Sequence, residues 1–164
     1  MATPLLHGFA PVVDHTARLL ILGSFPSVLS LESGQYYGNP RNAFWPITAE
    51  LFGFDASASY ETRLAALQSA GVALWDVLYA CRRVGSADAK IDPNSVVAND
   101  FRRLFASYPS ITKVCFNGGA AQQLYGRLVD ADAQVDYLLL PSSSPARAMP
   151  AGRKLQAWRI IAPS

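Results

Sequence analysis

Four short apolar runs set the architecture of this chain: RLLILG (18–23), VALWDVLYAC (72–81), KVCFNGG (113–119) and VDYLLLP (135–141). Their apolar residues are continuous rather than alternating, which is the pattern of strands buried on both faces. Segments with helical spacing separate them. NAFWPITAELFG (42–53) carries Pro46 in its first turn, where proline is tolerated. YETRLAALQSAG (60–71) closes on Gly71, and NDFRRLFASYP (99–109) opens on Asn99 as a cap. AAQQLYGRLV (120–129) and GRKLQAWRII (152–161) complete the set. Strand and helix in alternation predict a parallel sheet covered on both faces. The expected fold class is therefore α/β: one domain over 1–164, three-layer α/β/α, with a central four-stranded, mainly parallel sheet.

A chain of 164 residues that is 51% hydrophobic and 16% charged has enough apolar material for a packed core, which excludes disorder. No apolar run approaches membrane-spanning length. MATPLLHGFAPVVDHTARLL, at the N-terminus, lacks a basic stretch followed by a long apolar core. A soluble, cytoplasmic protein without a membrane partner is expected. Cys81 and Cys115 make no disulfide framework and have no metal-ligand spacing, so neither a metal nor another cofactor is expected.

The formal net charge of +2 is too small to imply a nucleic-acid partner, but its distribution is uneven. Asp136 is the last acidic residue, while Arg147, Arg153, Lys154 and Arg159 follow it. That acid-free quarter is a candidate for meeting phosphates. The pairs Arg82-Arg83 and Arg102-Arg103 read instead as solvated helix faces.

In open α/β sheets ligands bind beyond the carboxyl ends of the strands. Here those ends carry GSFPS, WDV, FNGG and PSSSPA, the polar and glycine-rich stretches that should meet in one cleft. The segment GSFPSVLSLESGQYYGNPRNAFW (23–45) is too long, too aromatic and too poor in charge for an ordinary surface loop, and reads as one wall of that cleft.

Familiar catalytic sets are missing. GxSxG, GxxxxGK[ST] and GxGxxG are absent, and His7 and His15 lie away from every strand end. Glu32 is alone in the long loop and Asp76 follows the second strand, so no carboxylate pair is on offer. What remains is Asn, Ser, backbone amides and aromatic rings. Such a toolkit suits cleavage of a bond whose leaving group is already good, such as the N-glycosidic bond to a deaminated base. Preorganised donors stabilise the departing base, and the base itself must be flipped out, stacked and read by hydrogen bonds.

GSFPS after a strand, then YYGNPRNAFW, then FNG and LPSSSPA at later strand ends, resemble the uracil-DNA glycosylase superfamily, and within it the hypoxanthine-DNA (deoxyinosine) glycosylases, its sixth family. The resemblance covers essentially the whole chain. It implies a monofunctional, single-domain DNA glycosylase acting as a monomer on DNA that contains hypoxanthine, with uracil or xanthine as further substrates. It also implies roles for individual residues. Asn42 is the catalytic residue that holds water; Gly23, Ser24 and Phe25 form the turn beside the base; Tyr37 stacks on the base and Asn117 reads its edge. Ser142, Ser143, Ser144, Ala146 and Arg147 contact DNA. Phe25 stands where other branches carry a water-activating Asp or Asn, and Asn39 where a His is frequent. No lysine lies in the four motifs, which disfavours a lyase step.

Each residue also has a plainer use. Asn42 suits a helix cap, Asn117 a turn before Gly118-Gly119, and one of Tyr36 and Tyr37 is a packing residue. Phe44 and Trp45 are expected in the core. A mismatch-specific uracil glycosylase and a catalytically silent nucleic-acid-binding module of the same fold remain alternatives.

Overall fold

The computed structural model describes residues 3–163. In chain order the elements are β1 (Leu5–His7), β2 (Leu19–Gly23), α1 (Val28–Ser33), α2 (Phe44–Phe52), α3 (Tyr60–Ser69), β3 (Val72–Asp76), β4 (Leu78–Arg82), β5 (Val97–Ala98), α4 (Phe101–Ser107), β6 (Lys113–Asn117), α5 (Gly119–Leu128), β7 (Asp136–Leu140) and α6 (Ala151–Trp158).

The predicted sheet is present. Its order is β3-β2-β6-β7 and every pairing in it is parallel. Alternate residues of a strand face opposite sides, and two clusters follow from that. Leu20, Leu22, Val114 and Phe116 pack with Phe101, Leu104 and Phe105 of α4 and with Ala121, Leu124 and Tyr125 of α5. On the other face, Ile21, Leu74 and Cys115 pack with Phe44, Trp45, Ile47 and Leu51 of α2, Leu67 of α3 and Trp158 of α6. Three layers result. Phe44 and Trp158 are each 0% exposed, so truncating either to alanine is expected to cost about 3–5 kcal/mol.

Two local expectations are corrected and one is extended. The run 72–81 begins as a strand of the parallel sheet, but at Val77 the chain leaves it, and β4 joins a small antiparallel sheet of order β1-β4-β5. The break is enforced by the first site turn, because the Val77 and Leu78 amides donate to the carbonyls of Gly23 and Ser24 (2.8 and 3.1 Å). Asp100 rather than Asn99 caps α4, accepting from the Arg103 amide at 3.0 Å; Asn99 Nδ2 instead donates to the Asp76 carbonyl at 2.8 Å. Arg82 and Arg83 are on no helix, and Arg83 is 4% exposed, its Nη2 donating to the Pro26 carbonyl at 2.7 Å.

The long loop is also less irregular than its composition suggests. Ser27 caps α1, its Oγ accepting from the Ser30 amide at 3.1 Å, and Gly34 ends that helix at φ 69°.

Candidate active site

Strands β2, β3, β6 and β7 end side by side, and a cavity of about 280 Å³ opens above them. Gly23, Ser24 and Phe25 line it from β2, Asp76 from β3, Asn117 from β6 and Ser142–Ala146 from β7. Tyr37, Asn39 and Asn42 close it from the long loop, and Ser86–Asp88 from the segment after β4. Every residue expected in the site lines this cavity except Arg147, which is exposed immediately beyond Ala146.

The two tyrosines divide their labour. Tyr36 is 5% exposed and built into the scaffold: its hydroxyl donates to the Ala10 carbonyl at 2.8 Å and its carbonyl accepts from Trp45 Nε1 at 3.1 Å. Tyr37 has φ 54°, a left-handed conformation costly for a residue with a side chain. One face of its ring stacks on Phe44 at 3.8 Å between centroids. Backbone strain held in place by packing is a common property of functional positions.

Asn117 is tied into the wall. Its Nδ2 donates to Tyr37 Oη (3.2 Å) and Ser143 Oγ (2.9 Å), and its Oδ1 accepts from the Ser143 amide (2.8 Å). Both amide hydrogens are thereby used, while Oδ1 keeps a second lone pair. Ser143, expected on the DNA-facing side, is 1% exposed; its hydroxyl is spent on Asn117 and its carbonyl accepts from the Ala43 amide at 3.0 Å. It fastens the β7 loop to β6 and to the start of α2. The hydroxyls of Ser142 and Ser144 accept from the amides of Ser144 and Ala146 (3.1 and 3.2 Å), which leaves each O–H free to donate outward.

Helix α6 holds this loop from behind. Trp158 Nε1 donates to the Pro141 carbonyl and Lys154 Nζ to the Ser144 carbonyl, both at 2.8 Å. Lys154 is 4% exposed, so this cation of the acid-free quarter braces the loop instead of facing phosphate. Burial, and then Arg147, lower its pKa.

Asn42 is not the cap of α2: Ala43 holds that position without a side-chain bond, and Asn42 Oδ1 accepts from the Phe44 amide at 2.9 Å in the turn leading into the helix. The turn at Gly23–Phe25 is clamped from the other side. Ser24 Oγ donates to Asp88 Oδ1 at 2.6 Å, and the Arg83 guanidinium lies 5.2 Å from the centre of the buried Phe25 ring.

Asp76 was not among the expected site residues, although the strand-end position of WDV is the signal that marks it. It is 6% exposed, and its Oδ2 is sealed from solvent without a hydrogen-bond partner among the described residues. Burial pushes its carboxyl up to about 7, with Asp88 adding to the rise and Arg83 opposing it. Burial, and then Asp76, also raise the Tyr37 phenol.

The model of the Uracil DNA glycosylase superfamily matches residues 10–162. The chain belongs to that superfamily. It is 37% identical over 148 residues to a hypoxanthine DNA glycosylase of Methanosarcina barkeri, covering 90% of this chain and 92% of the relative. A hypoxanthine DNA glycosylase of Methanosarcina acetivorans is 36% identical over 155 residues, covering 94% and 96%. A solution NMR structure of a Methanosarcina acetivorans protein superimposes with a TM-score of 0.80 at 34% identity, covering 96% of each chain.

Proposed function

We propose that this superfamily member is a monofunctional DNA glycosylase that hydrolyses the N-glycosidic bond of deaminated bases, hypoxanthine first. The observation that carries the reading is the convergence of Tyr37, Asn42, Asn117 and Ser142 on one cavity. Its volume lies just below the range of about 300–1,000 Å³ usual for larger organic ligands, which suits a single extruded base. The names of the two Methanosarcina relatives support the choice of hypoxanthine.

The base enters with its ring against the free face of Tyr37, whose other face is backed by Phe44. Asn117 Oδ1 then meets the edge as an acceptor only. Hypoxanthine, uracil and xanthine carry a ring N–H beside a carbonyl, where adenine and cytosine carry a lone pair. An acceptor whose donors are already spent therefore favours hypoxanthine over adenine and uracil over cytosine, and mismatching it leaves a buried polar group unpaired. Asn42 keeps its amide hydrogens and a second Oδ1 lone pair to orient the attacking water. Ser142 and Ser144 donate to the strand's phosphates, and Arg147 supplies charge at the rim.

Among the described residues none that lines the cavity is a lysine, and the Nζ of Lys154 points to the Ser144 carbonyl, which supports hydrolysis without a lyase step. The test is incubation with duplex DNA containing one deoxyinosine. Strand breakage at that position only after alkali is the expected result; an intact strand after alkali would overturn the reading.

A further inference from the structure

The floor of the cavity holds a carboxyl group that none of the roles above employs. Asp76 ends β3 directly opposite Gly23 of β2, and a Cβ at Gly23 would fall 2.5 Å from Asp76 Oδ1. Only the missing side chain of the glycine leaves room for the carboxyl there. Asp76 is nine-tenths buried, lines the cavity, and carries a sealed Oδ2 with no hydrogen-bond partner among the described residues. A buried carboxylate with an unpartnered oxygen is costly, so the group stays neutral and its other oxygen is left for the cavity.

We propose that Asp76 is a further catalytic residue, a neutral carboxylic acid that donates a hydrogen bond to the carbonyl oxygen of the departing base. The assignment rests on the glycosylase reading above. When the bond between the sugar and the base nitrogen breaks, its electron pair moves onto the base and spreads to the carbonyl oxygen. A water oxygen bonds to the sugar carbon and loses its proton to solvent, and the base takes up a proton from solvent. Asp76 keeps its own proton throughout. Its donor stands ready where negative charge develops. With Asn117 Oδ1 accepting from the ring N–H, the two side chains flank Gly23 and complement the N–H and C=O of one deaminated edge.

The surroundings favour the neutral form. The titratable and charged groups about Asp76 are Tyr36 and Tyr37 of the loop before α2, and Arg83 and Asp88 beyond β4. Arg83 is the one cation among them, and its Nε and Nη2 are engaged by the Gly85 and Pro26 carbonyls. Asp88, whose Oδ1 accepts from Ser24, opposes a second negative charge nearby.

The experiment is excision of inosine from duplex DNA by the parent, Asp76→Asn and Asp76→Ala, with kcat/KM followed from about pH 6 to about pH 9. The parent should lose about tenfold per pH unit above an inflection near pH 7, as the carboxyl ionises. Asp76→Asn keeps a donor of the same shape that does not titrate, so its profile should lack this limb. Asp76→Ala should be slower by about 100-fold at pH 6. Carbon-13 NMR of labelled aspartate in the free parent should show one carboxyl titrating near pH 7, and its loss in Asp76→Asn assigns it. A parent that leaves inosine intact ends the glycosylase reading and this assignment together. A parent that cuts, beside an Asn variant with the same alkaline limb or a folded Ala variant at parental speed, ends this assignment alone.

Discussion

Gly23 and Asp76 face each other across neighbouring parallel strands so closely that a methyl group on the glycine would lie 2.5 Å from Asp76 Oδ1. A glycine at this strand end is therefore a matter of space and not of backbone conformation. Gly23→Ala should push the Asp76 carboxyl from its place and cost about 1–3 kcal/mol of stability through overpacking. Urea denaturation measures that cost. Excision of inosine should fall at least tenfold in the same variant, because the donor no longer meets the base.

The same carboxyl should make stability depend on pH. Its ordinary value of 3.8 is raised to about 7 in the folded chain, so the folded state binds this proton more tightly than the unfolded state. Its contribution is present in full below about pH 4 and is lost as pH rises through about 7. Asparagine at this position cannot ionise. The stability of Asp76→Asn relative to the parent should therefore rise between pH 4 and pH 8 by up to about 4 kcal/mol. Denaturation of both proteins across that range checks it; parallel curves would contradict the sign and the cause.

Asn42 serves two ends that one substitution pattern separates. Its Oδ1 accepts from the Phe44 amide in the turn entering α2, and removal of such a bond costs about 0.5–1.5 kcal/mol. Asn42→Asp retains an oxygen for the Phe44 amide but loses the amide hydrogens. Asn42→Ala should lose both the turn bond and excision; Asn42→Asp should hold its stability within about 0.5 kcal/mol of the parent and change only the rate. Thermal denaturation beside single-turnover excision distinguishes the two uses.

The parallel sheet and the side on which its cavity opens were legible in the sequence because both follow from local pattern. Apolar runs such as 18–23 bury whichever neighbour they pair with, and the polar strand ends of a parallel sheet must collect on one edge. What the pattern conceals is where each side chain's hydrogen bonds go. Ser143 looks like its neighbours in PSSSPA, yet it is buried against Asn117, and Lys154 looks like any surface lysine, yet it bonds the Ser144 carbonyl. Asp76 follows the same rule. Its importance comes from Gly23, a residue 53 positions earlier, and from the split of one apolar run into β3 and β4 at Val77. Neither relation has any local signature.

Asn117 links three segments, and its loss should be felt in each. Asn117→Ala would strip the Ser143 amide and hydroxyl and the Tyr37 hydroxyl of partners. Leaving buried polar groups unpaired costs about 1–3 kcal/mol each. Ser143→Ala removes only one of these bonds and should cost about 1 kcal/mol. Urea denaturation of both variants should place Asn117→Ala clearly below Ser143→Ala.

Binding to DNA tests the division between the cations that face outward and those that do not. Arg147 is exposed beside the Ser142–Ala146 wall, whereas Lys154 is buried behind it. Each phosphate neutralised by a cation releases condensed counterions, so the logarithm of affinity falls linearly with the logarithm of salt concentration. If Arg147 meets a phosphate, Arg147→Ala should flatten that slope by about 1 and weaken binding to inosine-containing and undamaged duplexes alike. Lys154→Met should leave the slope unchanged, because its ammonium group is held by the Ser144 carbonyl. Its binding should weaken only through a loosened loop, and hence more for the inosine duplex than for the undamaged one. Fluorescence anisotropy titrations at several salt concentrations read both effects, and an equal change of slope in the two variants would contradict the placement of charge described here.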